Sequence, residues 1–332
     1  MFVFHNKAGG DIASSPFFYF TGHSLGDRWR EWIISKYSQS IEIEFFLKEV
    51  DKGLKSFEEK FLVKHLKPGA GVLDIGCGVG REAIALARKG YKIVGIDISP
   101  RSVEIARQKA QEMKITVDYQ IGEAGNLKFN DNSFDYVLMI AQLIHHIHGR
   151  KNRIRALSEA WRVLRPGGGL ILTIRNRIGV TKGLILNFLY RSIKGLRRLQ
   201  NLNGKNERNP YGITNPGLWR NAFHGLYLRL LSIGVDSWRK AVMEIDRFLK
   251  IEYKGREPGD YLIPHVSPAI SSGLMTFHCY SLQEIIADLS SAGFEIEEYR
   301  DTSELDLGLE FPEWARNGAR YLILYCKKVH KV

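Results

Sequence analysis

The sequence predicts an α/β protein whose parallel sheet is covered on both faces. Three observations carry this. Short apolar strands alternate with helices of ten to fifteen residues between Ala70 and Ile174, the rhythm of strands joined by helical crossovers. The first strand runs into a glycine-rich turn that opens a helix, and helix–strand order returns near Ser281 after about 100 residues of different character.

Taken in order, residues 1–68 carry clustered aromatics ("PFFYF", then Trp29, Trp32 and Tyr37) and a helix from about Ser40 into "HLKPG". "GVLDIG" is the first strand, "GREAIALARKG" a helix closed by Gly90, and "YKIVGIDIS" the second strand. In "SPRSVEIARQKAQEM" Ser99 is the N-cap and Pro100 takes the first helical position, where its missing N–H costs nothing. "TVDYQIG" and "FDYVLMIAQ" are strands three and four, "RIRALSEAWRVLRPGG" a helix and "GLILTI" strand five. "SLQEIIADLSSAGFEIEEYRD" is a helix, a glycine and a strand, and "ARYLILYCKK" a final strand. This organisation predicts an N-terminal cap over 1–68, a core from 69–175 and 278–332, and a helix-rich insertion over 176–277 that caps the substrate.

Composition narrows the setting. The three cysteines, Cys77, Cys279 and Cys326, are far apart, which suggests neither a disulfide framework nor a metal cluster. The N-terminus lacks signal-peptide grammar and no apolar run approaches 18 residues, so the expected location is cytoplasmic. The net charge is +12, and residues 175–257 hold 17 Lys/Arg against 6 Asp/Glu. Such a concentration points to nucleic acid, an anionic membrane or an acidic substrate, or to a solvated basic surface.

The strongest chemical signal is "VLDIGCGVG", with Asp74, Gly76, Gly78 and Gly80 around Cys77. Glycines let the backbone approach a ligand that side chains would exclude, and a helix N-terminus follows with free N–H groups. Arg81 stands where nicotinamide enzymes place a further glycine. An acid two residues before the first glycine suits a cationic ligand end better than a pyrophosphate. Cys77 reads as a small residue that fits the turn, and Asp135, at strand four, as structural.

With these residues the sequence resembles the class I S-adenosylmethionine-dependent methyltransferases over about half its length. The resemblance implies a seven-stranded, mostly parallel Rossmann-like sheet with a reversed last hairpin, and S-adenosyl-L-methionine as cofactor. It implies that Asp74 meets the amino-acid end and that Gly76, Cys77, Gly78 and Gly80 form the turn. Asp97, with Ile98 beside it, matches the acid that grips the ribose hydroxyls. Glu123, with Ala124, matches the acid near the adenine, although Asp is commoner there, and Leu127 would pack near the ring.

The segment "LIHHIHGRK" follows strand four, at the end of the sheet where open α/β proteins bind ligands. His145 and His146 are therefore candidate bases, since histidine titrates near neutral pH; His148 has no assignment, and no metal site is expected. A narrower resemblance to tRNA wobble-uridine carboxymethyl-ester methyltransferases adds Arg153, Asp260 and His278 as acceptor-side candidates. That pattern has tryptophan where this chain has His265. In "TKGLILNFLYRSIKGLRRL" Ile185, Leu189, Ile193 and Leu196 fall on one helical face and Arg191, Lys194 and Arg198 on the other, which suits either an anionic membrane or packing on the protein itself. With Tyr211 and Trp219, the N-terminal aromatics Phe17, Phe18, Tyr19, Phe20, Trp29 and Trp32 would roof an apolar acceptor or belong to the core. The expected activity is methyl transfer to an oxygen or nitrogen of a small organic acceptor. The alternatives are tRNA methylation, a lipid-like acceptor at a membrane, and a cofactor-binding module without turnover; oligomeric state is open.

Overall fold

The computed structural model describes residues 25–178, 260–264, 274–310, 316 and 321–329. The expectations for Phe17 to Phe20, for Arg191, Lys194, Arg198, Tyr211 and Trp219, and for His265 lie outside the described residues, as do the side chains of Trp29 and Trp32.

Seven strands form the sheet: β1 (Gly71–Ile75), β2 (Lys92–Asp97), β3 (Asp118–Ile121), β4 (Phe134–Met139), β5 (Leu164–Arg175), β8 (Phe294–Asp301) and β9 (Tyr321–Lys328). Their order is β3-β2-β1-β4-β5-β9-β8. The first five are parallel, and β9 runs antiparallel to both β5 and β8. The chain order reverses beside β1, which opens a crevice at the carboxyl ends of β1 and β4. A separate ribbon pairs β6 (Asp260–Pro264) with β7 (Leu274–His278).

Alternation along the strands divides the core. Leu73, Ile75, Val137, Met139, Leu170 and Leu172 face α6 (Arg150–Val163) and α7 (Leu282–Ala292), where Leu157, Ala160, Ile285 and Leu289 meet them. Val72, Leu138 and Ile171 face the other way, onto α3 (Ser56–His65), α4 (Arg81–Arg88) and α5 (Pro100–Glu112). Each fully buried aliphatic side chain contributes about 1.5–3 kcal/mol, so the strands are held by both layers.

Local signals explain several boundaries. The Ser99 hydroxyl accepts the Ser102 N–H at 3.2 Å and Pro100 occupies the first turn of α5. A capping box between Ser281 and Glu284 starts α7, and Gly293 at φ 92° stops it. The helix expected to run through "RPGG" ends earlier, at Val163, and β5 begins at Leu164. Pro166 disfavours helical geometry at Arg165, so the chain is extended before the glycines. N-terminal to the sheet, the single expected helix is three: α1 (Leu25–Tyr37), α2 (Ser40–Val50) and α3.

Gly80 caps α4 at φ 92°, and a Cβ there would collide with the Tyr119 hydroxyl. A Gly80→Ala variant is expected to lose about 1–3 kcal/mol from the left-handed backbone alone, and more unless Tyr119 moves. Urea unfolding followed by circular dichroism measures it.

Candidate functional site

A cavity of about 390 Å³ opens at the carboxyl ends of β1 and β2. Its floor includes Ile75, Gly76, Asp97 and Ile98, and one wall is the Gly122–Gly125 backbone with Glu123 and Ala124. The opposite side is Leu143, His146, Ile147 and His148, and α1 adds Arg30 and Ile33. Gly76, at φ 75°, is required here: a Cβ would lie 2.6 Å from the Leu143 Cδ1.

Asp97 is the best-defined polar group on the floor. Its Oδ2 accepts the Gly78 N–H at 2.9 Å and its Oδ1 the Ser99 N–H at 2.8 Å. Burial pushes its carboxyl up, and these backbone bonds oppose the shift. A carboxylate has about four acceptor positions, so each oxygen can take a second donor from a ligand. Asp74 lies deeper, 2% exposed, with its Oδ2 lacking a hydrogen-bond partner among the described residues. Burial first, and then the Glu82 charge, hold its carboxyl well above the usual range. Glu123 meets Arg30 of α1 at 3.3 Å across the mouth. Both are more than half exposed, so the pair adds at most about 1 kcal/mol.

Three residues of the glycine-turn and adenine patterns do packing instead. The Cys77 thiol is buried, and a Cβ on Gly95 would stand 3.1 Å from its sulfur. Burial pushes its pKa up, opposite to what a nucleophile needs. Gly80 makes room for Tyr119. Leu127 belongs to the core rather than the cavity wall, and its N–H donates to Glu159 at 2.8 Å. Asp135 ties β1 to the start of β5, accepting from Gly71 N–H at 2.8 Å and Arg165 at 2.6 Å.

After β4 the backbone turns through Ala141 at φ 51° and Gln142 at φ 69°. Two consecutive non-glycine residues in this region are costly. The Gln142 N–H, held by the Thr173 hydroxyl at 3.1 Å, helps to fix the bend. A 3-10 turn over Leu143–His146 follows, and it sends the two histidines to different places. His146 lines the cavity, and its Nε2 lies 3.2 Å from the Tyr37 hydroxyl.

His145 is only 2% exposed, and the structure corrects its reading as a base. Its Nε2 accepts the Arg175 N–H at 2.6 Å and its Nδ1 is bonded to the His278 carbonyl. Both nitrogens are engaged, and burial drives its pKa down to about 3. A group depressed in this way contributes stability above the ordinary histidine value of about 6.5. That contribution fades as pH falls from about 6.5 towards 3. Between those limits, a His145→Asn variant is expected to lose less stability on acidification than the parent protein; parallel urea midpoints test this.

Arg153, Asp260 and His278 are brought together, yet not on the cavity wall. Arg153 is 0% exposed, Asp260 5% and His278 2%. His278 bonds Asp260 through Nδ1 and Glu284 through Nε2, each at 2.8 Å. Burial alone would lower its pKa, but the two carboxylates outweigh burial and raise it. Arg153 reaches Glu284 at 3.9 Å and stacks over Tyr280 at 5.4 Å. Side chains so enclosed cannot touch an acceptor without rearrangement, which corrects the acceptor-side reading: this is an internal ion cluster.

Sequence reasoning did not place Arg30, Ile33, Asn152 and Arg155 in the cavity wall. Arg30 and Ile33 come from a helix more than 30 residues before the glycine turn, so no local motif marks them.

The comparisons fit this geometry. The sequence model of the methyltransferase domain matches residues 72–168. Residues 72–168 form a methyltransferase domain. Outside that domain similarity thins. A ubiquinone biosynthesis O-methyltransferase of Xanthomonas campestris is 37% identical over 111 residues, 33% of this chain and 45% of that protein. A demethylmenaquinone methyltransferase of Tropheryma whipplei is 39% identical over 106 residues, 31% of this chain and 41% of that protein. The chain thus spans less than half the length of these curated relatives. The crystal structure of a SAM-dependent methyltransferase from Methanosarcina mazei superposes with a TM-score of 0.50 at 20% identity, covering 84% of this chain and all of the other. That likeness concerns the fold. Within the methyltransferase domain, Gly76, Asp97, Ile98, Glu123, Ala124 and His146 reach the cavity, whereas Asp74, Cys77, Gly78, Gly80 and Leu127 do not line it. Among the described residues no helix is long and apolar enough to cross a membrane.

Proposed function

We propose that this chain transfers a methyl group from S-adenosyl-L-methionine to an oxygen or nitrogen of a small organic acceptor. The observation that carries the reading is the cavity built on Gly76 and Asp97 at the ends of β1 and β2. The residues present fit the cofactor. Asp97 has acceptor capacity for a ribose diol, and Ile75, Ile98, Ala124 and Leu143 offer apolar walls to an adenine. Asp74 lies beneath the lining with a buried oxygen in want of a donor, and an ammonium group that reached past the lining would favour its charged form. Glu123 would exchange its ion pair with Arg30 for the adenine amine, and Gly78 holds Asp97 in place.

When bound, S-adenosyl-L-methionine supplies a methyl group activated by a sulfonium. The chain's own part is to orient the acceptor, keep water out and manage a proton. His146 is the group placed for the last of these. The quinone-pathway names of the curated relatives support a small organic acceptor. On this reading residues 1–68 and 176–277 cap the core of 69–175 and 278–332, in a cytoplasmic enzyme. The tRNA reading draws on the narrower resemblance around Arg153, Asp260 and His278, and the membrane reading on the basic stretch 175–257; neither has an observation in the cavity to favour it.

Calorimetry with S-adenosyl-L-methionine, followed by transfer of labelled methyl to pools of phenols, carboxylates and amines, tests the proposal. Saturable binding and label in a small molecule are expected. Absence of binding would sink it, and binding without transfer to any pool would favour a silent module. Label in tRNA or anionic vesicles alone would move the acceptor class.

A further inference from the structure

The end of α1 spans the two edges of the cavity. The Tyr37 carbonyl accepts the Ser102 hydroxyl at 3.1 Å, and the Ser38 and Ser99 hydroxyls meet at 3.1 Å. Both contacts seat the α1–α2 junction on the loop that follows Asp97. From there the Tyr37 ring crosses to the other edge, where it meets His146 edge-on with ring centroids 5.6 Å apart and its hydroxyl reaches Nε2. Tyr37 lies outside the matched stretch of 72–168, so this bridge belongs to the chain's own N-terminal part.

The direction of the hydrogen bond follows from the relative strengths of the two donors and two acceptors. Among the described residues, His146 Nε2 is the only hydrogen-bond partner of the Tyr37 hydroxyl. A phenol hydroxyl is a stronger donor than a neutral imidazole N–H, and an imidazole nitrogen is a stronger acceptor than a phenol oxygen, so the phenol donates to Nε2 rather than the reverse. Burial, then the charges of Glu42 and Asp97, push the phenol well above its usual range, so it keeps its proton. The neutral imidazole therefore accepts at Nε2 and carries its own proton on Nδ1.

We propose that Tyr37 is a positioning residue that fixes the ring of His146 and holds it in the Nδ1–H tautomer at the acceptor wall. This rests on the methyltransferase reading for its consequence, though not for its geometry. In this state Nε2 can take a proton from an acceptor only once the phenol has turned away or passed one on. Tyr37 thereby controls when the imidazole is free to act. The charges around the pair come from every neighbouring element: Lys36 stands over the Tyr37 ring at 4.7 Å, Glu42 lies on α2, Asp97 on β2 and Arg175 on β5. His145 next door stays neutral across the working range.

The test is nuclear magnetic resonance of the ring nitrogens in 15N-histidine-labelled full-length protein, parent and Tyr37→Phe, with His146→Gln for assignment. In the parent, Nε2 of His146 should resonate as an unprotonated acceptor and Nδ1 as protonated. In Tyr37→Phe the neutral ring should move towards the Nε2–H form. A parent ring already in the Nε2–H form, or identical patterns in the two proteins, overturns the proposal. A second arm measures turnover: Tyr37→Phe should lower kcat at least 10-fold and displace the acid limb of its pH profile, with cofactor affinity kept within about twofold. Unchanged kcat and profile beside a changed tautomer would reject the positioning role. If neither protein binds S-adenosyl-L-methionine, the functional reading fails while the tautomer result still decides the geometry.

Discussion

Arg153→Ala is expected to cost the fold about 3–5 kcal/mol, the loss seen when one member of a buried ion cluster is removed and the others stay. Arg153 is fully enclosed, and around it lie Glu284, His278 and Asp260. Among the described residues, with His278 protonated, two cations face two carboxylates. Without Arg153 the two carboxylates keep one cation, His278, among the described residues. Glu284 also caps α7 through the Ser281 N–H, so the damage should spread to that helix. The measurement is the urea midpoint at neutral pH; a loss below 1 kcal/mol would mean that water replaces the guanidinium at little cost. The cluster should respond to alkali too. A histidine raised by its partners contributes stability that is complete below about pH 6.5 and disappears as pH rises through its folded value, the reverse of His145.

Asp97→Asn should weaken binding of S-adenosyl-L-methionine by about 10- to 100-fold. A hydrogen bond to a charged acceptor contributes about 1.5–3 kcal/mol, and each 1.4 kcal/mol is tenfold in affinity. The amide keeps one acceptor oxygen and turns a donor towards either the Gly78 or the Ser99 N–H. The floor should therefore lose both a ligand contact and some of its order. Calorimetry well below the melting temperature separates the two effects. Affinity within twofold of the parent would remove Asp97 from the cofactor site.

Much of this architecture is legible in the residues because it is local. The strands from β1 to β5 announce themselves by short apolar runs, and Ser99–Pro100 and Ser281–Glu284 mark helix starts by chemistry within one turn. The glycine turn at Gly76 was readable for the same reason, since a tight turn constrains its own neighbours, whereas Asp97 and Glu123 were named by the resemblance; all three line the cavity. The rest depends on contacts far apart in the chain. Tyr37 and His146 are 109 residues apart, and nothing near either predicts the other. His145 and His146 are chemically identical neighbours, yet consecutive residues of a 3-10 turn point about 120° apart. One ring therefore enters the interior and its neighbour the cavity. Arg153, Asp260 and His278 were named by a resemblance of motifs, which says nothing of depth, and the fold buries them.

The backbone at the end of β5 has a bearing on how this protein could be re-engineered. Arg175 C=O accepts the Tyr280 N–H at 3.1 Å, and Tyr280 C=O accepts the Arg177 N–H at 2.8 Å. Residues more than 100 positions apart thus meet at one clasp, and the buried Asp260 and His278 lie between them in the chain. For a flexible segment, doubling the length between two such fixed points adds only about 0.6 kcal/mol of closure entropy. The clasp and the β6–β7 ribbon consequently bound a graft point: segments of very different length could replace residues 179–259 while the sheet, the glycine turn, Asp97 and the Arg153 cluster keep their positions.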